Sequence, residues 1–239
     1  RLQYAAKPVL DYFGDSDVTQ LKETHIEHYI ASRSKSVANG TVKRELGALS
    51  AAFNHAIKKH HWHIENPCIK AEAPKEPKGR VRRLTHEQAK TLLQVARNPV
   101  DRKGGSLSSQ YKSPVLGDFI ELALNTGCRK QELLGLKWED VDFSTRLLRL
   151  AKTKGGEWQT VPITDEARAV LTRRMRRRDE VCPEGSYVFF HETPRPGADV
   201  GDHVQDLKKS FRAACERAAI KDFRIHDLRH TFASWLVAE

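Results

Sequence analysis

Near its C-terminal end the chain reads Arg224-Ile225-His226-Asp227-Leu228-Arg229-His230, with an imidazole and a guanidinium three positions apart. On a helix, positions i and i+3 leave the same face, so His226 and Arg229 can address one ligand. A guanidinium forks onto two phosphate oxygens, and an imidazole moves a proton near neutral pH. Such a pair suits a phosphodiester. The His-x-x-Arg spacing alone arises by chance on many amphipathic helices. A second segment, Asn125-Thr126-Gly127-Cys128-Arg129-Lys130-Gln131-Glu132, supplies another arginine, and the combination is far more specific.

Composition narrows the partner. The 239 residues carry a formal net charge of +10, which favours a polyanion. A hydrophobic content of 39% with 30% charged residues describes a globular chain rather than a disordered one. Cys68, Cys128, Cys182 and Cys215 are scattered without a C-x-x-C pair, as expected of reduced thiols in a cytoplasm. No apolar run approaches the roughly 20 residues of a membrane span, so no membrane partner is expected. The chain begins at Arg1 without an initiator Met and reads as a fragment.

The elements that must position these groups follow from pattern. Residues 71–83, with Pro74, Pro77, Gly79 and the basic Lys75, Lys78, Arg80, Arg82 and Arg83, predict an extended linker. It separates a helical domain, 1–70, from a larger domain, 84–239. In the first, Val42, Leu46, Leu49, Phe53 and Ile57 form an apolar stripe from about Gly40 to His60, with Lys43, Arg44, Lys58 and Lys59 on the polar side. An earlier helix is expected from about Asp17 to Ser34. In the second domain, Thr85-His86-Glu87-Gln88 is a capping box, residues 98–113 a long loop, and residues 114–125 an apolar helix. Residues 146–151 and 159–163 flank Gly155-Gly156 as a hairpin. A helix follows Thr164, ending in the run from Arg173 to Arg178, whose simplest reading is a solvated face. A short strand at Tyr187, a helix over Val204–Ala219 and a last helix from His226 complete the pattern. The expected class is mainly α with one small antiparallel sheet.

The segment from Thr126 through Arg129 and Glu132 to Asp142 resembles the first box of the tyrosine recombinases, the phage-integrase class of site-specific recombinases. His226-Asp227-Leu228-Arg229-His230-Thr231 resembles their second box, and the hairpin ending Thr160-Val161-Pro162 their lysine-bearing strand pair. Residues 1–70, closed by Asn66-Pro67, resemble their core-binding domain. The resemblance implies tyrosine attack on DNA, with a 3′-phosphotyrosyl link and a free 5′-hydroxyl. Charge growing on the phosphorane would be stabilised by Arg129 and Arg229 without a metal. His226 would bond a phosphate oxygen and assist proton transfer, and a hairpin lysine would protonate the leaving 5′-oxygen. Lys152 and Lys154 share a strand face; of the two, Lys154, at the turn before Pro162, stands where the resemblance places the hairpin lysine. Glu132 would orient Arg129, and His230 would support the site or pack beside it. The phosphotyrosyl link stores the bond energy, so no nucleotide cofactor is implied.

The resemblance further implies double-stranded DNA as partner, clamped between the two domains. It adds assembly of the full-length protein up to a tetramer on a recombination site, in the bacterial cytoplasm or nucleoid. The function expected is integration or excision of a phage or other mobile element. Lys43, Arg44, Lys58, Lys59, Arg80, Arg82 and Arg83 are the expected phosphate contacts. One departure matters. The tyrosines are Tyr4, Tyr12, Tyr29, Tyr111 and Tyr187, none after the second box, so this chain is expected to bind DNA without cutting it. The alternative is a non-catalytic DNA-binding regulator descended from such an enzyme. The histidines at 55, 60, 61 and 63 lack ligand-spaced Cys or carboxylate partners, and Asp140 and Asp142 fall at a turn; neither group predicts a metal site.

Overall fold

The computed structural model describes residues 2–77, 79–98, 115–150 and 159–238. They form two compact units, Arg1–Gly79 and Arg80–Glu239. In the first, α1 (Leu2–Phe13), α2 (Glu23–Arg33) and α3 (Asn39–His60) close around Val9, Phe13, Ile26, Tyr29, Val42 and Leu46. The apolar stripe read in α3 is thus the packed face, although its outer members, Leu49 and Ile57, are only partly buried. Within this small core sits one buried carboxylate. Glu45 accepts from the Tyr29 hydroxyl at 2.7 Å and from Arg33 Nη2 at 2.6 Å and Nε at 3.0 Å. The forked Arg33 bonds hold its carboxyl below the usual range. The Asn66 side chain donates to Ser50 O and Asn54 Oδ1 and accepts from Cys68 N, which ties the end of the bundle back to α3.

The sequence pattern missed α1, because Pro8 lies inside it. Proline normally breaks a helix interior. The helix expected from Asp17 is in fact a 3₁₀ turn, Val18–Gln20, capped by the Asp17 carboxylate, and α2 starts only at Glu23.

The second unit contains α4 (His86–Arg97), α5 (Val115–Thr126), α6 (Lys130–Leu134), β1 (Val141–Asp142), β2 (Leu147–Leu150), β3 (Gln159–Pro162), α7 (Asp165–Val181), α8 (Lys208–Arg217) and α9 (Ile225–Ala238). The strands form one antiparallel sheet in the order β1-β2-β3, with Leu147 opposite Pro162 and Leu150 opposite Gln159. The fold is mainly helical with a small antiparallel sheet, as expected. Its centre is α5, which is apolar nearly all round and packs against α4, α7 and α9. The capping box opens α4 as read: Thr85 Oγ1 accepts from Gln88 N, and Gln88 Oε1 accepts from Thr85 N.

Residues around Tyr187 form isolated bridges rather than a strand: Trp138 N donates to Ser186 O and Val188 N to Leu136 O. The helix expected from Val204 begins at Lys208, because Val204 N is engaged by Phe189 O and His203 bridges Phe190. The expected loop at 98–113 lies largely outside the described residues, beyond Asn98. No helix among the described residues is long and apolar enough to cross a membrane.

Candidate phosphodiester site

The chain leaves α5 through Thr126, whose hydroxyl donates to Leu122 O at 2.7 Å and accepts from Cys128 N. Gly127 follows with φ of 61°. A side chain is doubly opposed there. The left-handed region disfavours one, and a Cβ at Gly127 would stand 2.2 Å from the Phe232 ring of α9. The chain then turns so that the exposed Arg129 precedes α6.

Arg129 is held by Glu132, as the sequence suggests. Glu132 Oε2 accepts from Arg129 N at 2.7 Å, and Oε1 accepts from Arg129 Nη1 at 2.7 Å. One carboxylate therefore fixes both the backbone and the guanidinium of this residue. On α9, His226 and His230 are exposed and in edge-to-face contact, with ring centroids 4.9 Å apart. The half-buried Arg229 donates through Nη1 to Gly127 O at 2.6 Å. That bond joins the two segments: the second arginine is anchored on the carbonyl two residues before the first. Beside them, burial pushes the Cys128 thiol up to about 11, so it stays protonated and inert.

Lys152 and Lys154 belong to the connection between β2 and β3, which lies outside the described residues. Of the basic residues expected to meet DNA, Lys43, Arg44, Lys58 and Lys59 are exposed on α3, the last two in its final turn. Lys43 also pairs with Glu76 at 3.5 Å. Arg83 is exposed, whereas Arg80 and Arg82 are turned onto their own unit. Arg80 bonds Asp222 and Asp227, and Arg82 Nη2 donates to Lys221 O at 3.1 Å.

The arginine run of α7 departs from a solvated face. Arg174 has no exposed side-chain surface and bonds Glu192 at 2.7 Å and Val188 O at 3.1 Å. Its guanidinium lies 4.8 Å from the Phe190 ring centroid. Arg173 bonds the buried Asp118 of α5 at 3.0 Å, and Arg177 bonds Glu192 at 2.9 Å. Desolvation pushes the Asp118 carboxyl up, while the guanidinium groups of Arg173, Arg174 and Arg97 oppose that shift. Helical spacing places Arg174 on the inward side, but the charge of the run conceals it.

Sequence reading also missed the pairing of Gly127 with Phe232. The only local signal was a glycine between Thr126 and Cys128. Gly127→Ala should displace α9 through Phe232 and pull Arg229 off its anchor. The expected result is a loss of amide hydrogen-exchange protection over α9, measured in the 239-residue chain. Gly127→Ala combined with Phe232→Ala should recover part of the loss.

Residues 82–239 match the model of the phage integrase family. The chain belongs to that family. It is 28% identical over 211 residues to the integrase of Salmonella phage P22, covering 86% of this chain and 49% of that protein. The chain thus spans about half the length of that curated relative. Its fold is similar to that of the Tn1549 transposon integrase solved with circular intermediate DNA. The TM-score is 0.74 at 19% identity, over 97% of this chain and 78% of the other. A lambda integrase dimer bound to a COC' core site gives a TM-score of 0.72 at 19% identity, over 98% and 80% of the respective chains.

Proposed function

We propose that this chain is the DNA-binding and phosphate-holding core of a site-specific recombinase that moves a phage or other mobile element. The carrying observation is the Arg229–Gly127 bond, which brings the guanidinium of one segment onto the backbone of the other. Two forks converging on one phosphate would stabilise the charge that grows on a phosphorane, and do so without rearrangement during the reaction. Arg129 is oriented by Glu132, and His226 takes the proton-handling role at the phosphate, with His230 packed against it. No metal or nucleotide is required by this chemistry. Lys43, Arg44, Lys58, Lys59 and Arg83 contact phosphates along the duplex, and binding is steeply salt-dependent. The core-site dimer of lambda integrase, and its tetramer bound to a Holliday junction, support assembly of the full-length protein on DNA as a dimer or tetramer.

Lys154 is proposed as the general acid for the leaving 5′-oxygen. In the full-length protein, Lys154→Ala should cleave ordinary DNA slowly, by about 10²-fold or more for a lost general acid. A substrate with a 5′-bridging phosphorothiolate leaves as a thiolate that needs little protonation, so the same variant should cleave it at close to the unsubstituted rate. Rescue of Lys152→Ala instead would move the role to Lys152.

The 239-residue chain by itself is proposed to bind DNA without forming a covalent link. Tyr29 is buried with its hydroxyl on Glu45, and Tyr187 stacks on His203 at 4.8 Å. Incubation with a nicked recombination site, followed by denaturation, should show no protein–DNA band for this chain and a band for the full-length protein. A band from this chain that Tyr187→Phe or Tyr111→Phe abolished would contradict the proposal. Absence of a band from the full-length protein would overturn the recombinase reading.

A further inference from the structure

The segment Arg80–Leu84 runs along α9 on a face distinct from the one bearing the phosphate-directed groups. Arg80 Nη2 meets Asp227 Oδ2 at 2.5 Å, and its Nη1 bonds Asp222. Leu84 N donates to Thr231 Oγ1 at 3.1 Å, and Leu84 O accepts from Trp235 Nε1 at 3.2 Å. Asp227, Thr231 and Trp235 are spaced four and four, so they form one ridge of the helix. His226, Arg229 and His230 occupy neighbouring positions on the other side of that ridge. The segment is therefore a rail, fixed to α9 at three successive turns.

Asp227 is the sensitive point of the rail. Its side chain is 7% exposed. The same Oδ2 that takes Arg80 also accepts from Arg224 N at 2.8 Å, closing the N-terminus of α9. Without Arg80 this buried carboxylate would lose its cationic partner, and a buried charge left alone is strongly unfavourable. The first turn of α9, which begins one residue before His226, would shift or fray to let water reach Asp227.

We propose that Arg80 is a positioning residue for His226 and Arg229, acting through Asp227, rather than a contact to the DNA backbone. This rests on the recombinase reading above. The two uses of an arginine differ in what they predict. A phosphate contact contributes about one unit to the slope of log affinity against log salt. A positioning residue leaves that slope alone and lowers the chemical rate, and a slip of about an ångström at the reacting groups can cost about 10²-fold.

The test compares Arg80→Met, Arg80→Lys and Asp227→Asn. Amide hydrogen exchange over 225–231 is read in the 239-residue chain, and the salt slope and single-turnover cleavage at saturating DNA in the full-length protein. Expected for Arg80→Met are faster exchange at the start of α9, an unchanged salt slope, and cleavage about 10- to 100-fold slower. Asp227→Asn should alter exchange and cleavage in the same direction, and Arg80→Lys should lie between Arg80→Met and the unsubstituted protein. Arg80→Lys also keeps the test open should Arg80→Met fold poorly. A salt slope reduced by about one, with unchanged exchange and unchanged cleavage at saturation, would overturn the proposal and make Arg80 a phosphate contact. Unchanged exchange in all three variants would overturn it as well. If the unsubstituted full-length protein failed to cleave, the recombinase reading would fall, while the exchange measurement would still decide whether Arg80 holds α9.

Discussion

Arg129→Ala and Arg229→Ala in the full-length protein should each slow strand cleavage by about 10²–10³-fold, the usual worth of a positioned charge-stabilising donor. DNA affinity should hardly change, because non-specific binding is shared among many phosphate contacts. The two variants are expected to differ in a second respect. Arg129 is exposed and, among the described residues, is held by the Glu132 carboxylate three positions on, so its loss should leave the fold alone. Arg229 is also a strut between α9 and the carbonyl of Gly127, so its loss should loosen the packing of α9 on α5. Cleavage and binding measured separately, with hydrogen exchange over α9, resolve these effects. Intact cleavage in both variants would remove the site from consideration.

The second large effect is on stability and falls on a residue that charge alone would place in solvent. Arg174→Met should destabilise the second unit by about 3–5 kcal/mol, since it leaves Glu192 and Asp118 buried with incomplete compensation. For a unit of this size that corresponds to a fall in melting temperature of roughly 10 °C. Arg176→Ala, two positions away on the exposed side, should stay within about 0.5 kcal/mol. Denaturant titrations of the two variants provide the comparison. Equal, small effects would show that the Arg174 pairing contributes little.

Arg174 also shows why part of the structure was hidden. Its partners come from α5, from the segment around Val188 and from Glu192, none of them adjacent in sequence. Six residues containing five arginines read as a polar face whichever way the helix turns. Arg80 and Asp227 are 147 positions apart, so nothing local announces their bond. In contrast, the bond between Arg129 and Glu132 was legible because residues three apart share a helix face. The apolar stripe of α3 and the capping box of α4 were legible because each is a local pattern with a local cause. The helix α1 was not, because Pro8 signals a break that packing against α3 overrides.

The central claim is that Arg129, His226 and Arg229 hold one scissile phosphate. A structure of this 239-residue chain bound to a duplex recombination site tests it most directly. The account predicts one backbone phosphate within hydrogen-bond distance, about 2.7–3.2 Å, of both guanidinium groups and of the His226 imidazole. The Glu132–Arg129 and Gly127–Arg229 bonds should persist in that complex. DNA bound to the chain with no phosphate reaching either arginine would contradict it.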